Sequence, residues 1–320
     1  MPKVFITRKI PGPAQDLLKN AGFEVVVNPD DRVLTKDGLK KAVAGVDAIL
    51  SLLSDHIDSE VMDAAGKQLK IIANYAVGFD NIDIEAAKQR GIFVTNTPGV
   101  LTEAVAEHTF ALLMAATRRI VESDRFTREG KYKQWEPFGF IGPQVWGKTI
   151  GIIGLGRIGS WVGMIAFSGF RMKILYYDVK RNPEFEMENQ ATFAQIDQIL
   201  PQADFITIHV PLLPETKHLI NDEKLKLMKN SAILVNTSRG PVVDENALVQ
   251  ALKNGTIAAA ALDVFENEPN LADGLVGLPN AILTPHIASA TKEAREAMSK
   301  IAAENIIAAL TGVKPPSLVY

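Results

Sequence analysis

Three side chains suited to proton and anion chemistry stand just beyond three successive apolar runs. Arg239 follows Ala232–Thr237 (AILVNT), Glu268 follows Ala258–Val264 (AAAALDV), and His286 follows Ala281–Leu283 and Pro285. Each alone reads as an ordinary surface ion-pair residue. If the runs are consecutive strands of a parallel sheet, all three side chains meet at its C-terminal edge, where open α/β sheets bind ligands. An imidazole is tuned to give or take a proton near neutral pH. A carboxylate beside it holds its orientation and favours its protonated form. A guanidinium offers a planar fork to a carboxylate or ketone oxygen. The set suits hydride transfer to a carbonyl carbon, in which charge builds on oxygen and a general acid supplies the proton. The other four of the five histidines read more plainly. His56 lies in a polar loop, His108 within an apolar helix as a core or interface residue, and His218 in a turn after Pro214. His209 ends a strand, where it lines a cofactor site through its backbone.

A hydride donor has a place to bind. Lys148–Gly159 reads KTIGIIGLGRIG, in which a β-branched run meets Gly154, Gly156 and Gly159 in the spacing G-x-G-x-x-G and a helical run follows. The first glycine permits a sharp turn, the second lets backbone approach a pyrophosphate, and the third lets helix pack on strand. The N–H groups opening the helix face the phosphates. A second apolar run, Lys173–Tyr177, ends in Asp178, 19 residues beyond Gly159. An acid there accepts hydrogen bonds from the adenosine ribose and repels a 2′-phosphate, so NAD(H) is expected over NADP(H). Lys180 and Arg181 pull the other way, could reach a phosphate from the same loop, and keep NADP(H) admissible. No P-loop, serine-nucleophile elbow or metal-ligand cluster competes for this crevice.

The elements that must position these groups alternate along the whole chain. Strands are expected at Lys3–Thr7, Phe23–Val27, Ala48–Leu53, Ile71–Val77 and Ile92–Asn96, with helices between them, which makes an α/β domain with a parallel sheet. After Pro98-Gly99 comes the helical run Thr102–Ile120, with Glu103 and Glu107 in its first turns and a middle that is apolar nearly all round and so buried, within the chain or against a second subunit. Glu129–Val145 is expected as a loop. The second sheet then begins at the Gly-rich turn and continues through Phe205–Val210 and the three runs above. Ala288–Gly312 is a final helix that crosses back to the first domain, followed by a tail, PPSLVY, without strand-forming capacity. The expected domains are 1–98 plus 288–320 for substrate and 99–287 for dinucleotide, hinged about a cleft.

Composition narrows the class. The 320 residues are 47% hydrophobic and 22% charged with a net charge of −3, so neither nucleic acid nor an anionic membrane is an expected partner. The chain has no cysteine, which removes disulfides, thiolate zinc sites and cysteine nucleophiles and suits a cytoplasmic protein. The opening MPKVFITRKI carries Lys3, Arg8 and Lys9 and is not expected to act as a secretory signal.

The runs NYAVGFDNIDIEAA, VTNTPGVLTEAVAEHTFALL, GIIGLGRIG, NTSRGPVVDENAL, LDVFENEP and TPHIASAT, in this order, resemble the D-isomer-specific 2-hydroxyacid dehydrogenase family. The look is nearest its glyoxylate/hydroxypyruvate reductases and 2-ketogluconate reductases. The resemblance implies two Rossmann-like domains, flavodoxin-like for the first and a true Rossmann sheet for the second. It implies NAD(P)H-dependent reduction of a small 2-oxo acid to the D-2-hydroxy acid, with Arg239 binding substrate, Glu268 supporting the histidine and His286 as proton donor. The backbone at Val77 and Gly78 would receive the substrate carboxylate, with Leu53 and Ser289 nearby. Around the cofactor it implies Thr102, Leu155, Arg157, Ile158, Asp178, Val210, Pro211, Thr237, Ser238 and Asp263. It implies a homodimer on the Thr102–Ile120 helix, with Trp135 or Phe138 closing a partner's pocket. Another D-2-hydroxyacid dehydrogenase is the near alternative, and an NAD(H)-sensing corepressor-type protein is the distant one. Formate dehydrogenases carry Gln where Glu268 stands.

Overall fold

A computed structural model describes the chain from Met1 to Tyr320 as two compact units, Met1–Leu101 with Ala290–Tyr320, and Thr102–Ser289. The division falls a few residues later than Pro98-Gly99 and residue 288, because each connecting segment is held by the unit it leaves.

In the first unit β1 (Lys3–Ile6), β2 (Glu24–Val27), β3 (Ala48–Ser51), β4 (Ile71–Asn74) and β5 (Phe93–Thr95) form one sheet in the order β2-β1-β3-β4-β5, every pairing parallel. This is the flavodoxin-like order, whose strand sequence reverses beside β1 and β3. Strands β3 and β4 are buried along their whole length, as befits central strands of a parallel sheet covered on both faces. The last helix, Lys292–Leu310, packs on this sheet and on the helix Ala14–Asn20. It starts later than its helical pattern suggests, at a Thr291 cap whose side chain accepts the Ala294 N–H at 3.1 Å. The three residues before it stay outside it, with the Ala288 N–H held by Asp263 (below). The tail does pair, against expectation. Asn96 N–H donates to Ser317 O at 3.2 Å and Val319 N–H to Val94 O at 3.1 Å, which lays Leu318 antiparallel beside Thr95. Asn305 helps to hold the tail, its side chain accepting the Ser317 N–H at 3.0 Å.

The second unit holds β6 (Thr149–Ile153), β7 (Lys173–Tyr177), β8 (Thr192–Phe193), β9 (Phe205–Ile208), β10 (Ile233–Asn236), β11 (Ala259–Leu262) and β12 (Ala281–Leu283). They run parallel in the order β12-β11-β10-β9-β6-β7-β8, the doubly wound Rossmann order with its reversal between β6 and β9. Two apolar clusters cover its faces, one around Ile206, Leu234 and Leu248, the other around Phe110, Ile152 and Tyr176.

The long helix of this unit departs from its sequence reading in two ways. It ends at Thr117, Arg119 takes a left-handed φ of 52°, and a separate helix runs from Ile120 to Arg128. Arg119 is held there by Glu122, with 2.7 Å from Nε to Oε2, and its guanidinium lies over the Phe140 ring. The apolar middle of the Thr102–Thr117 helix is covered from within the unit and not by a second subunit. Glu103, Glu107 and Ala111 form an exposed stripe, while its apolar faces are covered by β10, β11 and the helix Arg157–Phe170 of the same unit. That helix therefore needs no second subunit to cover it. The unpartnered apolar surface lies further on, in Ile120, Val121, Tyr132, Trp135, Phe138, Ile141 and Trp146.

Candidate active site

The Gly-rich turn joins β6 to the helix Arg157–Phe170, and each glycine has a separate cause. Gly154 has a φ of 97°, and a Cβ on it would lie 2.7 Å from the His209 carbonyl carbon. A Cβ on Gly159 would lie 2.0 Å from the Gly154 oxygen. At Gly156 nothing lies within 4 Å, so this peptide borders open space. The helix that follows has no side-chain cap and no acid in its first turn. Its opening N–H groups are free of internal competition for an anion. A pyrophosphate fits here, since close contact excludes side chains at two glycines and open space adjoins the third.

Asp178, at the end of β7, is tied to this turn. Its Oδ2 accepts the Leu155 N–H at 2.6 Å, and its Oδ1 meets only the Lys180 N–H, at 3.4 Å. The carboxylate is thus preset, with lone pairs left for a ribose diol. Lys180 is exposed, whereas Arg181 is engaged by Glu186. Leu155 is buried, Ile158 half-buried and Arg157 exposed along the turn. Val210 is half-buried and Pro211 exposed beyond β9. His209 stands beside the turn with a buried Nε2 that has no partner, and burial pushes its pKa down to about 3, so it stays a neutral residue. That orphaned nitrogen at the strand reversal is a second sign that this edge receives a polar ligand.

Beyond β10 the chain turns under the control of Asn236, which sequence reading did not single out. Its Oδ1 accepts the Ser238 N–H at 3.0 Å and hydroxyl at 2.8 Å, and its Nδ2 donates to Arg239 O at 2.9 Å. Thr237 shares a 2.9 Å hydroxyl contact with Thr109 of the long helix. Gly240 then packs against the backbone of the next loop, where a Cβ would lie 1.9 Å from the Phe265 carbonyl carbon. Arg239 and the Phe265–Glu268 segment are thereby held side by side. That segment is latched in turn by Glu245 and Glu266, each side chain accepting the other's backbone N–H at 2.8 Å.

Glu268 is fixed at both oxygens. Oε1 accepts the Phe265 N–H at 3.0 Å, and Oε2 lies 2.9 Å from His286 Nδ1. With Nδ1 facing the carboxylate, Nε2 is the atom left to exchange a proton with a bound molecule. His286 itself has a left-handed φ of 54°, a conformation few residues other than glycine adopt. What holds it there is Asp263, at the end of β11. Its Oδ1 accepts the Ile287 N–H at 2.9 Å and the Thr284 hydroxyl at 2.6 Å, its Oδ2 accepts the Ala288 N–H at 2.7 Å, and His108 Nε2 lies 3.4 Å away. Burial pushes the Asp263 carboxyl up, but these donors outweigh it and hold it below the usual range. Expected as a cofactor contact, Asp263 is fully buried and spends both oxygens on the loop that carries His286. His108, expected as a core or interface residue, is half-buried and belongs to this polar cluster.

Thr102 and Ser289 are the terminal residues of this unit, the first buried and the second half-buried. Leu53, Val77 and Gly78 belong to the other unit, at the C-terminal edge of its sheet. There Asn96 Nδ2 donates to Val77 O at 2.7 Å and Asn74 Nδ2 to Gly78 O at 2.9 Å. Asn81 Nδ2 donates to Leu52 O and Asp55 O at 3.1 and 2.9 Å. These amides set the peptide planes of both loops, and no motif in the sequence announces them.

Residues 110–288 match the family model described as "D-isomer specific 2-hydroxyacid dehydrogenase, NAD binding domain". The chain is 52% identical over 322 residues to a glyoxylate reductase of Thermococcus kodakarensis, an alignment covering 99% of this chain and 96% of that protein. The chain belongs to the D-isomer-specific 2-hydroxyacid dehydrogenase family. Among solved structures it is similar to the TT0316 protein of Thermus thermophilus, with a TM-score of 0.93, 44% identity, and coverage of 99% of this chain and 100% of that one. It also resembles an NADPH-dependent glyoxylate/hydroxypyruvate reductase of Sinorhizobium meliloti, with a TM-score of 0.86, 33% identity, and coverage of 100% and 98%. As a member of this family the protein is an NAD(P)-dependent oxidoreductase acting on a small 2-oxo or 2-hydroxy acid. No helix is long and apolar enough to cross a membrane.

Proposed function

We propose that the protein reduces glyoxylate or hydroxypyruvate to the D-2-hydroxy acid, with NADH preferred over NADPH. The observation that carries this reading is the 2.9 Å pair between Glu268 and His286, on the two loops that follow β11 and β12, with Arg239 on the loop after β10. The dinucleotide, when bound, supplies the hydride. Arg239 holds the substrate carboxylate and carbonyl oxygen in its fork. His286 Nε2 delivers the proton to the carbonyl oxygen, and Glu268 keeps the ring aligned while its charge changes. The unit Met1–Leu101 with Ala290–Tyr320 takes the substrate role, its Val77–Gly78 backbone receiving the carboxylate, and Thr102–Ser289 takes the dinucleotide. The high identity to a glyoxylate reductase supports the small substrate.

A homodimer completes the reading. Its surface is the segment from Ile120 to Trp146, where Trp135 is 77% and Phe138 87% exposed. An apolar patch of that kind marks an interaction site. Light scattering at micromolar concentration should give twice the chain mass, and a monomer would remove this part of the proposal.

Loss of NADH absorbance with glyoxylate, hydroxypyruvate and 2-ketogluconate in parallel tests the activity. Turnover is expected with the first two above the third. No turnover with any of them, under either cofactor, would overturn the assignment.

A further inference from the structure

The loop after β7 contains a device that bears on cofactor choice. Arg181 lies three residues past Asp178, where a cation could neutralise a 2′-phosphate on the ribose that Asp178 receives. Its guanidinium is turned onto Glu186 instead, with Nε 2.7 Å from Oε1 and Nη2 2.6 Å from Oε2. An exposed pair alone would restrain the arginine weakly. Glu186, however, is not a free surface acid. Its side chain is only 13% exposed, and its Oε1 also accepts the hydroxyl of the fully buried Tyr176 at 2.7 Å. That hydroxyl in turn accepts the Asn182 N–H at 2.8 Å, and Asn182 caps the Pro183–Asn189 helix on which Glu186 rides. Phe185, one residue before, presses on Gly163 of the dinucleotide helix, where a Cβ would lie 2.4 Å from its ring. Glu186 is therefore anchored and cannot follow the arginine toward a ligand.

We propose that Glu186 is a specificity-determining residue, which sequesters Arg181 by occupying the Nε–Nη2 edge a phosphate would use and so keeps the protein selective for NADH. The inference rests on the NADH preference proposed above. A guanidinium binds a carboxylate and a phosphate through the same bidentate geometry, so the two partners exclude one another on that edge. Neutralising Arg181 also leaves only the exposed Lys180 in this loop to offset the charge of Asp178 against a 2′-phosphate.

The test measures Kd for NADH and NADPH by quenching of tryptophan fluorescence, alongside kcat/KM for both with glyoxylate. Glu186→Gln keeps the Tyr176 bond but gives up the carboxylate, and Glu186→Ala releases the arginine outright. Either should tighten NADPH about tenfold, the scale of a charge-assisted hydrogen bond, with NADH unchanged. Arg181→Ala alone should alter neither, and Arg181→Ala/Glu186→Gln should lose the gain. Thermal unfolding of each variant confirms the fold. No gain in either Glu186 variant, or a gain that survives in the double variant, would overturn the proposal and leave the NADH reading standing. A wild type that prefers NADPH and loses the preference in Arg181→Ala would overturn both.

Discussion

Two buried aspartates, one at the C-terminal edge of each sheet, have carboxyl groups pushed in opposite directions. Asp55 is 2% exposed and Asp263 0%. Burial pushes the Asp55 carboxyl above the usual range, and the Thr7 hydroxyl, the 2.8 Å bond from the Leu52 N–H and the nearby Arg8 do not offset it. At Asp263 burial acts in the same direction but loses to His108, Thr284, Ile287 and Ala288. The number and aim of donors, more than depth, decide whether a buried carboxylate supports the fold. The loop that carries a strained residue, His286, is the one given the charged anchor. The loops of the first unit, whose backbone is unstrained by comparison, are pinned mainly by the neutral amides of Asn74, Asn81 and Asn96.

The contrast can be broken at its functional end first. His286→Gln should fold, bind NADH and lose roughly 10²–10⁴ in kcat, the usual worth of a positioned general acid. Near-normal turnover would mean the anchored loop delivers nothing to the reaction. Asp263→Asn comes next. An amide NH₂ must then face an N–H of Ile287 or Ala288, so the variant should be about 2–4 kcal/mol less stable in urea. Its kcat should fall by up to about a hundredfold, since small misplacements of a catalytic group cost that much. Full activity in a folded Asp263→Asn would show that His286 holds its position unaided.

The pH dependence sharpens the comparison. The folded pKa of Asp263 is lowered, so its contribution is complete above the unfolded value of about 3.9 and is lost as pH falls through the folded value. The stability gap between wild type and Asp263→Asn should therefore be widest near neutral pH and close in acid. Asp55 has the opposite sign. Its folded pKa is raised, so its favourable contribution is present below the unfolded value and disappears as pH rises through the folded one. Asp55→Asn should consequently match or slightly exceed wild-type stability near pH 7, and lose that advantage in acid. This is the smallest effect, read by thermal unfolding at the two pH values. A clear loss of stability at neutral pH would show that the ionised Asp55 is better solvated by its loop than its contacts indicate.

Much of this arrangement is legible in the sequence because it is local. The glycines at 154, 156 and 159 and the acid at 178 are spaced by one β-α-β unit. Arg239, Glu268 and His286 each follow a short apolar run by a few residues. What stayed hidden depends on contacts between distant residues. Nothing near Asp263 in the chain shows that it will bind the backbone of residues 287 and 288, and its motif position suggests a ligand contact instead. Arg181 and Glu186 are close in sequence, but only the fold brings Tyr176 beneath Glu186. The end of the long helix at Thr117 is invisible to periodicity, since Ile120 and Val121 continue the apolar count. The fold there depends on Glu122 and Phe140 gathering around Arg119.

The pairing of the last residues with β5 has a consequence for solubility. A parallel sheet ends in strands whose outer N–H and C=O groups stay unpaired, and such an edge invites another chain to add to it. Here the chain's own C-terminus occupies that position, with Ser317 and Val319 engaging Asn96 and Val94. The Tyr320 hydroxyl adds a bond to Ile92 O, and Lys88 lies over its ring. The strand so covered is only three residues long, which itself limits the template it could offer. The final residues thus work as a stopper against edge-to-edge aggregation.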